Sequence, residues 1–320
     1  MSSRIGKTRQ PSTPQIGKQK ILAPKPGAQK TGKPKTDDLK TRAPKVEEVF
    51  DAEAGKARGV LHRPPAEGKF RHSRRSPSPE LAYWIDHYWQ VSWDLRGCEP
   101  YTAETLPHPN FQVVFEKGKS AVSGVFTGKF SRTLQGKSHV FGIKFNPGAF
   151  RPFLKAAASS LSNRTVPLKR IFGNGKALNA LESLLTGSSA KEDTMIEAAE
   201  AFFRARMPAA DETITLAGAL VKRILEERDI KTVDDLVEKT GIGKRTLQRI
   251  FSEYVGATPK WVIRRYRLHE LVEKFNSGSS ANWADLALEL GYFDQAHLIN
   301  DFKSIVGYSP TQYQKTMNKK

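Results

Sequence analysis

The chain has 320 residues and a mass of 35.7 kDa, with 52 Lys+Arg against 33 Asp+Glu, a formal net charge of +19 and a sequence pI of about 9.9. The length suggests two domains. No apolar run approaches the roughly 18 residues of a membrane-spanning helix, and the start MSSRIGKTRQ has no apolar stretch that could act as a secretory signal, so the sequence predicts a soluble, cytoplasmic protein. The single cysteine, Cys98, excludes a disulfide framework and any site built on two or more thiolates.

The excess charge is concentrated at the start. Residues 1–75 hold 19 Lys+Arg and 7 Asp+Glu, residues 76–212 hold 16 and 13, and residues 213–320 hold 17 and 13. Residues 1–79 contain 10 of the 19 prolines, and Phe50 and Phe70 are the only aromatics in residues 1–75. So little apolar surface cannot offset the entropy of ordering, and residues 1–78 read as a disordered basic Lys/Pro-rich tail. The tail is either a solvated leader or a polycationic arm adding sequence-independent, salt-sensitive affinity for nucleic acid.

Residues 79–172 change period. Trp89, Val91 and Trp93 alternate, as do Phe111, Val113 and Phe115, then Phe141, Ile143 and Phe145, which is the pattern of half-buried strands. Glycine turns at 117–119 and 135–137 separate them, so the segment reads as an antiparallel sheet or small barrel, followed by a helix near 149–157. Trp84, His87, Tyr88, Trp89 and Trp93 either line an effector pocket or are ordinary core aromatics. His87, His108 and His139 lack the close His-x-His plus carboxylate spacing of a metal site, so no metal and no cofactor is expected. Helices near 176–185 and 191–206 make residues 173–212 a helical connector. In the second of them Met195, Ile196, Ala199, Phe202 and Phe203 form an apolar stripe suited to domain packing or to a dimer contact.

From residue 213 to 320 the pattern is helical. Leu216, Leu220, Ile224 and Leu225 mark a first helix, and Thr232 is placed to cap a second from Val233 to Lys239. After the turn Thr240-Gly241-Ile242-Gly243, Leu247, Ile250, Phe251 and Tyr254 form one stripe of a helix at about 244–255. Its opposite face shows Lys244, Arg245, Gln248, Arg249 and Ser252. A short helix, a glycine turn and a helix whose outer face is all donors make a helix-turn-helix with the third segment as the reading helix. A helix of about 17 residues from Thr258-Pro259 leads to a second such unit, with a short helix over 284–290, a turn at Gly291-Tyr292-Phe293, and Asp294 capping a reading helix at about 295–306. Its candidate outer face carries Gln295, Ala296, Ile299, Asn300 and Lys303. Arg264, Arg265 and Arg267 in the connecting helix suit either pairing, for example with Glu270 or Asp234/Asp235, or phosphate contact. His269, His297, Trp261 and Trp283 read as packing or capping residues.

The stretch Arg245–Phe251, Gly256-Ala257-Thr258-Pro259, and above all Ala287–Leu298 through Phe302-Lys303, Gly307-Tyr308-Ser309-Pro310 and Tyr313, resembles the DNA-binding domain of AraC/XylS-type transcriptional regulators over about 105 residues. The resemblance implies an all-α domain of about seven helices with two helix-turn-helix units, the last helix beginning near Pro310. It places base-reading positions on Arg245, Gln248 and Arg249 in the first unit and on Gln295, Ala296, Ile299 and Asn300 in the second. Arginine suits guanine and glutamine suits adenine. Asn300 stands where many relatives carry arginine, which implies fewer bases read by the second unit, or mostly backbone and methyl contacts. The blocks Glu104–Pro109 and Phe141–Phe153 are similar to the uncharacterised amino-terminal domain fused to a subgroup of these regulators, which by analogy is a cupin-like sensing or oligomerisation module.

The expected fold is therefore α+β and multidomain: a disordered tail, an antiparallel β domain with helices, then the all-α domain. No Gly-x-Ser-x-Gly elbow, phosphate loop or His-Glu-x-x-His occurs, so the sequence reads as no enzyme. It reads as a sequence-specific transcription regulator acting on double-stranded DNA. RNA polymerase, an unidentified effector of the middle domain and a second copy of the chain are compatible partners. The alternative is a non-specific nucleic-acid-binding or architectural protein driven by the tail.

Overall fold

Alternation over Trp89–Trp93 and Phe141–Phe145 gives strands because side chains at successive positions point to opposite faces, and here both faces are covered. The structure, a computed structural model, describes residues 45–50, 61, 69–276 and 283–317. Among the described residues, nine strands make two sheets. They are β1 Lys45–Phe50, β2 Lys69–Arg75, β3 Ile85–Leu95, β4 Tyr101–Thr105, β5 Gln112–Phe115, β6 Ala121–Ser123, β7 Phe130–Leu134, β8 Gly136–Phe145 and β9 Thr165–Pro167. Seven form one sheet in the order β1-β2-β3-β8-β5-β6-β9, and β4 pairs with β7 in a second. Neighbours are antiparallel except β1 and β2, which run parallel.

One face of the large sheet, with Tyr88, Val113, Phe115, Phe141, Ile143 and Phe145, packs under three helices: α1 Leu168–Phe172, α2 Lys176–Thr186 and α3 Glu192–Arg204. Phe203 of α3 meets Phe145 edge-on at 5.5 Å between ring centroids. The stripe on this helix is thus domain packing, and residues 173–212, expected as a connector, complete the first domain's core. The helix expected near 149–157 is instead two short 3-10 turns, Arg151–Phe153 and Ala158–Leu161. Pro152 removes a backbone donor there.

The expected tail boundary at 78 is also moved, because β1 and β2 lie inside it. Phe70 is buried and joins Trp93, Leu95, Leu134 and Val140 in a small core. The charge of Lys69–Arg75 hid this strand: Phe70, His72 and Arg74 alternate on one face, and Lys69, Arg71, Ser73 and Arg75 lie on the other. The rest of the expected tail, 1–44, 51–60, 62–68, lies outside the described residues apart from Leu61.

Among the described residues seven α-helices follow: α4 Glu212–Glu226, α5 Val233–Thr240, α6 Lys244–Ile250, α7 Pro259–Asn276, α8 Trp283–Glu289, α9 Gln295–Val306 and α10 Pro310–Met317. The helix expected at 244–255 closes in a wider π turn over Phe251–Val255. Leu220, Ile224, Leu236, Leu247, Ile250 and Phe251 share one continuous core with the first domain, whereas Leu286, Leu298, Phe302, Ile305 and Tyr313 build a second core around the far end of α7. No helix among the described residues is long and apolar enough to cross a membrane.

Candidate nucleic-acid interface and cavity

In the first helical unit, the Thr232 hydroxyl accepts from the Asp235 amide at 3.1 Å and the Asp235 carboxylate accepts from the Thr232 amide at 2.8 Å, a reciprocal cap for α5. Gly241 at φ 67° ends α5, and Gly291 at φ 78° follows α8 in the second unit. A left-handed backbone strains residues with a Cβ, so both turns call for glycine. In α6 Leu247 and Ile250 are buried while Lys244, Arg245, Gln248 and Arg249 face solvent. Lys244 Nζ lies 3.0 Å from Asp234 Oδ1 in an exposed pair. Arg245 and Arg249 form no ion pair with the described residues, so their guanidinium groups are presented as donors.

In the second unit the Asp294 carboxylate caps α9 by accepting from the His297 amide at 2.7 Å. Gln295, Ala296, Asn300 and Lys303 are exposed, and Ile299 is half-buried. Helix α7, about 27 Å long at ~1.5 Å per residue, joins the units, and its arginines hold them in place. Arg264 pairs with the carboxylate of Asp301 in α9, which is buried. Arg267, also buried, pairs with Glu270 and donates from Nη2 to the Ile224 carbonyl at 2.8 Å and the Glu227 carbonyl at 3.0 Å, closing the end of α4. Arg265 donates to the carbonyls of Pro107 and Leu106 in the first domain. All three arginines are structural, which decides the alternative left open by the sequence.

The first domain grips the second unit as well. Glu104 accepts from Tyr308 Oη at 3.0 Å and from Lys129 Nζ at 2.5 Å, and Lys129 also sits 4.2 Å above the Tyr308 ring. Leu61 and Leu106 enter the second core, and Tyr313 Oη donates to the Leu61 carbonyl at 3.2 Å.

Between the large sheet, the β4–β7 sheet and helices α4 and α7 lies a cavity of about 1390 Å3. Trp89, Val91, Trp93, Phe130 and Val140 give it apolar walls, and Ile214, Val221, Leu225, Tyr266 and His269 bring α4 and α7 to its rim. Trp89 lies flat across β8: a Cβ at Gly142 would meet its indole at 2.0 Å, so only glycine leaves room. The Trp89 indole donates to Gln112 Oε1 at 3.1 Å.

One end of the cavity is polar. His87 Nδ1 lies 3.0 Å from Arg74 Nη2 and 3.1 Å from Asp86 Oδ2, and Lys144 Nζ lies 3.0 Å from the same Asp86 oxygen. A neutral His87 accepts from Arg74, whereas a protonated one would donate to Asp86. Burial, only partly opposed by Asp86, pulls the His87 pKa down to about 4. Burial and then the Arg74 charge pull His72 down to about 4 as well. Burial would push the Asp86 carboxyl up, but Lys144 and His87 outweigh it and hold it well below the usual carboxylate range. Burial lowers the Lys144 pKa in spite of Asp86. Both imidazoles are therefore neutral at pH 7 in a cavity that mixes aromatic walls with a few charged groups.

Residues 236–316 match the family described as "Helix-turn-helix domain", and residues 73–167 match "Domain of unknown function (DUF6597)". Over 100 residues the chain is 26% identical to an uncharacterized HTH-type transcriptional regulator of Haemophilus influenzae, a match covering 31% of this chain and 33% of that protein. Over 83 residues it is 30% identical to the HTH-type transcriptional activator AarP of Providencia stuartii, covering 26% of this chain and 61% of AarP. Residues 236–316 are thus similar to a helix-turn-helix family, and both relatives are named as HTH-type regulators. The chain's matches span from one third to about three fifths of the length of these relatives. Among solved structures, ToxT of Vibrio cholerae O395 aligns over 79% of this chain and 99% of its own at 13% identity, with a TM-score of 0.33, too low to equate the two folds.

Of the residues expected in an effector pocket, His87, Trp89 and Trp93 do line the cavity. Trp84 and Tyr88 do not. Tyr88 stacks on Phe141 at 6.1 Å on the helix-covered face, and Trp84 meets Tyr83 edge-on at 4.8 Å within the main core. The exclusion of Tyr88 follows from alternation, since it lies between His87 and Trp89 in β3 and adjacent strand residues cannot share a face, whereas Trp84 lies in the turn before β3. His72, Arg74, Asp86 and Lys144, which form the polar end, were missed because the first two lay in the expected tail. Lys144 could have been found: it is the charged residue between the inward-facing Ile143 and Phe145.

Proposed function

We propose that this chain is a sequence-specific DNA-binding transcription regulator whose reading helices α6 and α9 enter successive major grooves. The observation that carries this reading is the pairing of two helix-turn-helix units on one continuous α7, each with its reading face exposed. Arg245, Gln248 and Arg249 read bases from the first unit. Gln295, Ala296, Ile299 and Asn300 do so from the second, while Lys244 and Lys303 contact phosphate. The cavity is the seat of a small-molecule effector. Because its rim includes α4 and α7, a ligand there touches the helices that carry the first unit and brace the second, which supplies a direct route from occupancy to DNA affinity.

The test is selection of the full chain from a random duplex library at two salt concentrations, repeated with Arg245→Ala and Arg249→Ala. The reading expects one enriched bipartite site, with each variant relaxing preference at particular bases. Uniform loss of affinity on every sequence, binding only at low salt, and collapse of binding on removal of residues 1–44 would together assign the activity to the basic leading segment instead.

A further inference from the structure

Phe293 is 89% exposed, the highest value among the exposed large apolar residues of the described part of the chain; Leu288 follows at 66%, and the others there are at 42% or less. Its position makes this unexpected. Phe293 immediately precedes the N-cap Asp294, where an apolar side chain ordinarily folds back onto the fourth helical residue, here Leu298, to staple the entry of the chain. The first unit does this: Ile242 precedes the N-cap Gly243 and packs against the core that holds Leu247. In the second unit Leu298 is fully buried without help from Phe293, and the ring stands in solvent at the start of the reading helix.

The start of a reading helix is where base edges are approached. Phe293, just before the helix, and Ala296 add exposed apolar groups beside Gln295 at the leading end of this outer face, ahead of Asn300 and Lys303. A phosphate is a poor occupant of the leading part, because the Asp294 carboxylate already holds the His297 amide at 2.7 Å and would repel an anion. The major-groove feature that an aromatic ring and a methyl side chain do fit is the C5-methyl of thymine.

We infer that Phe293, backed by Ala296, is a specificity-determining residue that reads a thymine methyl in the half-site of the second unit. This rests on the DNA-binding reading above. The two units then differ in chemistry, with hydrogen-bond donors in the first and an apolar contact added to the Gln295 and Asn300 amides in the second.

The experiment measures binding of the full chain to its selected duplex, with each thymine of the second half-site replaced in turn by uracil, which lacks only the methyl. One replacement should weaken the unaltered chain about fourfold, the factor for losing one buried methyl-sized group. Phe293→Ala should bind the thymine duplex equally weakly and no longer distinguish uracil. The inference is overturned if no uracil weakens the unaltered chain, if Phe293→Ala keeps the uracil penalty, or if the selected second half-site holds no thymine. It is also overturned, in favour of a protein partner, if Phe293→Ala leaves DNA binding untouched yet lowers transcription from the site. Absence of any selected sequence would instead sink the DNA-binding reading, and this inference with it.

Discussion

The two helix-turn-helix units share a plan and differ in how they are held. The first unit's apolar stripe, Leu247, Ile250 and Phe251, is part of the core that runs through the sheet domain, while its reading helix starts at Gly243 without a side-chain cap. The second unit keeps a separate core, reaches the sheet domain through Leu61, Leu106 and the Glu104–Lys129–Tyr308 cluster, and starts its reading helix on a capped Asp294. Tertiary packing thus stabilises the first reading helix, and local signals do more for the second. A unit with its own core can unfold locally without its neighbour unfolding with it.

This comparison can be broken first at Phe302, fully buried in the second core. Phe302→Ala should cost about 3–5 kcal/mol. Amide exchange should quicken in α9 and α10 while α6 stays protected. Equal deprotection of both units would show that the cores are not separable.

Acid should act in the opposite place. His72 and His87 titrate at about 4 when folded and at about 6.5 when unfolded, so the unfolded chain takes up more protons between those values. Their contribution is complete above pH 6.5 and is lost as pH falls toward 4, a few kcal/mol in total for two groups of this shift. Fluorescence of Trp89 and Trp93 should report the loss before exchange in α9 does.

Arg249→Ala should cost about 1–3 kcal/mol of discrimination at one base of the first half-site, with the second half-site unchanged, as read from competition binding. The smallest effects lie at the caps. Asp294→Ala should destabilise α9 by about 1 kcal/mol, and Gly243→Ser should stabilise α6 by a few tenths of a kcal/mol, both measurable by denaturant titration.

Much of the helical domain was legible in the sequence because its signals are local. Thr232 and Asp294 cap, Pro259 and Pro310 open helices, and glycines sit at both turns, all where the sequence puts them. The strand pattern around Trp89 and Phe141 was legible for the same reason. What failed depends on partners distant in sequence. Lys69–Arg75 reads as tail until β3 lies beside it, and Tyr88 cannot be assigned to core or pocket until the sheet has helices on one side and a cavity on the other. The roles of Arg265 and Arg267 were ambiguous because their acceptors are backbone carbonyls of other elements, Leu106 and Pro107 for one and Ile224 and Glu227 for the other. No side-chain pattern announces a carbonyl.

The most direct test of the central claim, that both units read one duplex face together, is to insert about half a helical turn, roughly five base pairs, between the half-sites of the selected duplex and remeasure affinity. Rigid attachment of both units to α7 through Arg264 and Arg267 predicts that the second half-site is lost and that affinity falls to that of the first half-site alone. Unchanged affinity for the spaced duplex would contradict it.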